Sequence, residues 1–229
     1  MVNISELCIC VVCCRDIASM SYLILIRHGQ SEYNEKGLWT GKRDVSLSSF
    51  GREEARQVGE SIRNIEVHSV HMSRLRRTHE TFFEISEVLG LGEVPRKVHH
   101  ALDERDYGTY TGKNKWQIKE QVGDENFLRI RRDWNEPIPE GETLKDVHDR
   151  IVPYFKQHIQ PELALGKNVL VVSHGNTLRA LVKYLENMFD EDVCNLEIAT
   201  GEAYCYKIDK SGSIEGKEIR SAHEMKQMA

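Results

Sequence analysis

The chain has 229 residues, 40% of them hydrophobic, which suits one α/β domain with a small lobe. Its net charge of −5 argues against wholesale binding to nucleic acid or an anionic membrane, so any anion site must be a local basic pocket. No apolar run approaches the ~20 residues needed to span a bilayer.

Residues 1–19 carry Cys8, Cys10, Cys13 and Cys14 but neither the basic start of an export signal nor zinc-ligand spacing. The stretch reads as an N-terminal extension, disordered or from a non-native upstream start, rather than a metal or lipid attachment segment. The domain proper is expected over 20–229. With no export signal the expected compartment is the cytoplasm, where Cys194 and Cys205 stay reduced.

The first strand, Tyr22 to Ile26, runs into Arg27-His28-Gly29. The polar stretch Gln30 to Ser46 is long for a connection and reads as a binding loop. Ser48 caps a helix with Ala55, Val58 and Ile62 at helical spacing. Val67 to Met72 reads as a strand. Ser73 is the expected N-cap of a helix running to Leu89 and ended by Gly90, with Phe82, Ile85 and Leu89 inward.

Residues 99–142 are less regular. They hold Leu102-Asp103-Glu104-Arg105-Asp106-Tyr107-Gly108, a polar helix around Trp116, and the basic cluster Arg129, Arg131, Arg132. Thr143 and Asp146 form a capping box ahead of Leu144, Val147, Ile151 and Phe155. A strand from Asn168 to Val172 leads to Ser173-His174-Gly175, then a helix from Thr177 to about Met188. The last strand is Ala203 to Ile208, after Thr200-Gly201. The alternation predicts a three-layer α/β/α fold with a mostly parallel sheet and helices on both faces.

Two strands thus each deliver a histidine and then a glycine. In an open α/β sheet, ligands bind at the carboxyl ends of the strands. His28 and His174 so placed face each other across one site. A histidine serves as nucleophile, general base or phosphate-binding cation. Arg27 points to an anionic substrate, because a guanidinium is a planar fork for phosphate or carboxylate. On chemistry alone Asp103, Glu104 and Asp106 compete as the acid/base, and Arg129 to Arg132 read as a solvated run.

The segment Arg27-His28-Gly29-Gln30-Ser31-Glu32-Tyr33-Asn34, then Thr40-Gly41, resembles the signature of the histidine phosphatase superfamily. Within it, the chain is similar to the cofactor-dependent phosphoglycerate mutases. The similarity continues through Ser73 to Thr78, Leu102 to Gly108, Gly112 to Lys115, Arg131-Arg132, His174-Gly175-Asn176 and Ala199-Thr200-Gly201. It covers nearly all of residues 20–210.

The resemblance implies a phosphoglycerate mutase-like fold and a set of roles. His28 is the nucleophile, a neutral imidazole whose tautomer is fixed by a nearby loop carbonyl. Arg27, Arg77 and a protonated His174 surround the transferred phosphoryl group. Glu104 is the general acid/base, best served by a pKa raised toward neutrality. Ser31, Asn34, Thr40, Gly41, Arg105, Tyr107, Lys115, Arg131, Arg132, Gly175 and Asn176 bind the rest of the substrate. Interconversion of 3-phosphoglycerate and 2-phosphoglycerate follows, primed by 2,3-bisphosphoglycerate, with no metal. The expected partners are small phosphoglycerates and further copies in a homodimer or homotetramer, with no nucleic acid and no membrane.

Trp134 to Glu142 is shorter than the same stretch in the longer bacterial mutases. Pro139-Glu140-Gly141-Glu142-Thr143 is also similar to an element of phosphatase branches. The rival readings are a phosphatase of the same superfamily, with water as acceptor, and a catalytically idle binding protein. Retained His28, Glu104 and His174 argue against the idle protein.

Overall fold

The computed structural model describes residues 20–221. The N-terminal extension with its four cysteines, and residues 222–229, lie outside the described residues. Cys194 and Cys205 are free thiols.

Strand β1 (Ser21–Arg27) lies at the centre of a six-stranded sheet. It is followed by a short helix α1 (Glu32–Glu35), helix α2 (Ser49–Ser61), strand β2 (Ser69–Met72), helix α3 (Arg76–Leu89) and strand β3 (Arg96–Val98). Helix α4 (Lys115–Arg132) bends at Gly123, whose φ of 80° is open only to glycine without strain. Helix α5 (Leu144–Tyr154) continues through a π-helical turn into α6 (Gln160–Ala164). Strand β4 (Val169–Ser173), helix α7 (Gly175–Leu185), and strands β5 (Glu202–Ile208) and β6 (Ile214–Ser221) complete the chain.

The strand order is β3-β2-β4-β1-β5-β6. The pairs β3/β2, β2/β4 and β4/β1 are parallel; β1/β5 and β5/β6 are antiparallel. The sheet is therefore mostly parallel with an antiparallel edge. Side chains alternate across it, as a period of two requires. Leu23, Leu25, Val169 and Val171 pack with α5 and α7, whereas Ile24, Ile26, Leu170 and Val172 pack with α2 and α3. This makes the three layers. A smaller cluster of Trp39, Tyr107, Ile118, Phe127, Ile130 and Ile138 supports α4.

Ser48 caps α2 by accepting from the Gly51 amide, and Thr143 with Asp146 forms the capping box of α5. Ser73 is not the cap of α3. That helix starts at Arg76 after Leu75, with no side-chain cap, and the Ser73 hydroxyl is used elsewhere. Helix α7 begins at Gly175, two residues before the expected start, and ends at Leu185. Strands β3 and β6 have no counterpart in the sequence reading, because neither presents a buried apolar face. Among the described residues no helix is long and apolar enough to cross a membrane.

Candidate active site

The site is set by the two adjacent central strands. Arg27 of β1 pairs with Ser173 of β4, and the His28 amide extends the ladder to the Ser173 carbonyl at 3.0 Å. His28 and His174 therefore leave the sheet side by side at its carboxyl edge, with ring centroids 5.0 Å apart. Gly29 is demanded by packing: a Cβ there would lie 2.1 Å from the Gly51 carbonyl oxygen of α2.

His28 is almost wholly buried. Its Nδ1 lies 2.7 Å from the carbonyl oxygen of Gly29, an acceptor only, so Nδ1 carries the proton and Nε2 keeps its lone pair. Gly29 is thus the loop carbonyl that fixes the tautomer. Burial, then the charges of Arg77 and Arg27, hold the imidazole pKa well below its usual value. A neutral ring with a free Nε2 is the form a nucleophile needs.

Arg77 lies fully buried between the two rings. Its Nε–H is shared between Nε2 of His28 at 3.3 Å and Nδ1 of His174 at 3.2 Å. Its other nitrogens donate to the carbonyls of Arg43 and Gly41 at 2.8 and 3.0 Å. Burial lowers its pKa to about 10, leaving it cationic at neutral pH. His174 does not carry the proton the sequence reading assigned it. Burial, then Arg77 and His28, hold its pKa well below normal. Its Nδ1 accepts from Arg77, so its Nε2–H donates to the Ser73 hydroxyl at 2.8 Å. Ser73 meets Thr78 Oγ1 at 2.9 Å, and Thr78 donates to the Leu75 carbonyl at 2.8 Å.

Beside the buried histidines, next to Arg27 and Gly175, opens a pocket lined by Arg27, Asn34, Thr40, Gly41, Glu104, Tyr107, Lys115, Arg131, Arg132, Gly175 and Asn176 among others; His28, Arg77 and His174 are not part of its wall. Nε of Arg27 and Oγ1 of Thr40 are buried without a hydrogen-bond partner. Buried donors are normally satisfied, so these two suit an oxyanion ligand. A Cβ on Gly175 would sit 3.4 Å from the Arg27 guanidinium, so glycine lets that cation lie against the start of α7. Asn34 turns its carboxamide oxygen to the Ser31 amide at 3.1 Å, which leaves its amino group as the donor for the pocket. Asn176 donates to the Tyr107 hydroxyl at 2.9 Å. Burial, then repulsion from Arg131 and Arg27, lowers the Lys115 pKa to about 8.

The three competing acids separate by their partners. Asp103 is held by the Arg74 backbone amide and guanidinium at 2.6–2.9 Å. Asp106 caps the Gly108 amide at 2.9 Å and pairs with Lys42 at 3.5 Å. Glu104 alone of the three lines the pocket, with one oxygen accepting from the Arg105 amide at 2.8 Å.

Two residues assigned to substrate binding are not in the pocket wall. Ser31 is fully buried as the N-cap of α1, in a capping box with Asn34. Arg105 is also fully buried, and its guanidinium donates to the carbonyls of Glu142, Ile130 and Glu136 at 2.6, 3.1 and 3.3 Å. Its charge ties the 130–142 segment to the acid loop. Conversely, Trp39, Arg179 and Glu197 line the pocket and were not foreseen. Arg179 lies one turn after Asn176 on α7, and that helical spacing was the available signal.

Comparison with known proteins identifies the family and the fold. The model of the histidine phosphatase superfamily (branch 1) matches residues 23–216. A 2,3-bisphosphoglycerate-dependent phosphoglycerate mutase of Parvibaculum lavamentivorans is 41% identical over 206 residues, 88% of this chain and 98% of that protein. The enzyme of the same name from Chelativorans sp. is 41% identical over 199 residues, covering 86% and 97%. Among solved structures, a mycobacterial glucosyl-3-phosphoglycerate phosphatase with bound VO3 superposes with a TM-score of 0.71 at 26% identity, covering 81% of this chain and 92% of that one. Bacillus stearothermophilus YhfR shares the fold with a TM-score of 0.75 at 22% identity, covering 85% and 94%.

Proposed function

The chain belongs to the histidine phosphatase superfamily, branch 1, and from that premise we propose that it is a 2,3-bisphosphoglycerate-dependent phosphoglycerate mutase of glycolysis and gluconeogenesis, interconverting 3-phosphoglycerate and 2-phosphoglycerate. The observation that carries this reading is the second cationic group of the pocket. Lys115 and Arg131 reach it from the two ends of α4, where burial and the repulsion of Arg131 and Arg27 on Lys115 outweigh the attraction of Glu104. A phosphatase needs one phosphate site and a water. A mutase must also hold a distal anionic group while the intermediate turns.

His28 attacks phosphorus through Nε2, with Nδ1–H anchored on the Gly29 carbonyl. Arg77 and Arg27 supply positive charge to the phosphoryl oxygens, and the neutral His174 holds Arg77 in place by accepting its Nε–H. Phosphoryl transfer is catalysed mainly by such positioning and charge neutralisation. Glu104 protonates the departing oxygen and takes the proton of the incoming hydroxyl. The orphaned donors on Arg27 and Thr40 support a fit for a doubly anionic ligand. When bound, 2,3-bisphosphoglycerate supplies the phosphoryl group that primes His28. Lys115, Arg131 and Arg132 hold the distal anion.

The likeness to a solved phosphatase at 26% identity favours a second reading, hydrolysis through the same phosphohistidine. Product analysis separates the two. Incubation with 3-phosphoglycerate and a trace of bisphosphate is expected to yield 2-phosphoglycerate much faster than inorganic phosphate. Phosphate release without any 2-phosphoglycerate selects the phosphatase.

A further inference from the structure

The loop before β5 carries a carboxylate that the catalytic scheme leaves unused. Glu197 lines the pocket, where the cations are Arg27, Lys115, Arg131, Arg132 and Arg179 and the other acid is Glu104. Its carboxylate is ion-paired with Nη2 of Arg132, near the end of α4. Nη1 of Arg132 donates to the Cys194 carbonyl at 3.2 Å.

The backbone that presents Glu197 is clamped. Three successive carbonyls accept side-chain donors: Leu196 from Arg179 Nε at 2.9 Å, Glu197 from the Tyr204 hydroxyl at 2.8 Å, and Ile198 from Arg27 Nη1 at 2.7 Å. Two of those donors belong to cations that themselves line the pocket. The loop is fixed by the same arginines that make the site positive. The backbone of Glu197 is therefore fixed at the rim of the pocket, and its carboxylate, 54% exposed, is held there by Arg132.

An acid in a pocket for anions lowers its affinity for them. Resting on the two-anion substrate argued above, we propose that Glu197 is an affinity-setting residue, a built-in competitor that occupies Arg132 until a ligand's second anionic group displaces it. A monoester with a neutral tail leaves the pair intact and gains nothing from Arg132. A ligand with a distal carboxylate or phosphate exchanges one anion for another on the same guanidinium. The net gain is then small, and the grip is reversible. That suits a reaction whose intermediate must let go, turn and bind again. Lys115 and Arg131 supply the attraction that Glu197 does not cancel.

The test compares two substrates in wild type and Glu197→Gln. 3-Phosphoglycerate carries a distal carboxylate; phenyl phosphate does not. A partly exposed ion pair contributes up to about 1 kcal/mol, so its loss moves an affinity by up to about fivefold. Glu197→Gln is expected to lower the KM for 3-phosphoglycerate relative to that for phenyl phosphate by about that factor. In an Arg132→Ala background the same change is expected to add nothing. An equal shift for both substrates, no shift, or a shift that persists without Arg132 overturns the proposal. If the wild type makes no 2-phosphoglycerate, the mutase reading fails on its own. The inference is then read from 3-phosphoglycerate as an inhibitor of phenyl phosphate hydrolysis. Its inhibition constant must fall in Glu197→Gln, and an unchanged constant rejects it.

Discussion

Arg77 aims its Nε–H at Nε2 of His28 from 3.3 Å, at the one ring nitrogen that the Gly29 carbonyl leaves free. The nucleophilic lone pair is thus located by a cation already in place. An incoming phosphoryl group arrives at that lone pair with the guanidinium beside its equatorial oxygens. Arg77→Met is expected to slow phosphoenzyme formation by about 10²- to 10³-fold, the scale seen when a preorganised donor is lost from a closed site. Labelled bisphosphoglycerate and rapid quench measure it. The label should be acid-labile and base-stable, as for a phosphoramidate, and absent in His28→Ala. Undiminished labelling in either variant removes that residue from its role.

Lys115 makes substrate affinity depend on pH. Its pKa of about 8 in the free protein means that the ammonium is lost as pH rises through that value. The distal anion is then held by one cation fewer. The KM for 3-phosphoglycerate is expected to be flat from pH 6.5 to 7.5 and to climb above about 8. In Lys115→Met the KM should be higher at neutral pH and the climb should vanish. A climb of equal size in that variant assigns the titration to another group.

Arg105 is expected to act on stability rather than on substrate. Truncation to alanine strands the buried carbonyl of Ile130 and takes a donor from the half-buried carbonyls of Glu136 and Glu142. One unsatisfied buried polar group costs about 1–3 kcal/mol. At roughly 2–4 °C per kcal/mol for a chain of this size, Tm should fall by at least about 2 °C. Arg105→Lys should recover little, because one ammonium cannot reproduce a planar fork. A normal Tm with a raised KM would return Arg105 to the substrate.

The buried histidines make the fold sensitive to acid. His71 has its pKa lowered from 6.5 to about 4, chiefly by burial, and His28 and His174 lie well below 6.5. All three folded values are depressed, so the unfolded chain takes up protons first as pH falls. Their contribution is fully present above about pH 6.5 and is lost below it, at up to about 1.4 kcal/mol per pH unit for each ring. Denaturant titrations between pH 7 and 5 should show that slope. His71→Gln should reduce it by about one histidine's share.

What was legible in the chain was local. The apolar runs of β1 and β4 end in His28-Gly29 and His174-Gly175, so the pairing of the two histidines at one sheet edge could be read directly. Thr143 and Asp146 are three residues apart, and a capping box needs nothing from outside that turn. Ser73 looked equally local and was not: its hydroxyl serves His174, 101 residues away, and the helix starts without it. Arg105 and Lys115 are both cations near the acid loop in sequence. One spends its donors on carbonyls up to 37 residues distant, while the other keeps its ammonium for the pocket. Arg179 and Glu197 join the site because α7 and the following loop fold over it. A side chain faces a ligand only if the rest of the protein leaves its polar atoms unclaimed. Which atoms are claimed depends on partners that folding brings near, and residue spacing along the chain does not encode them.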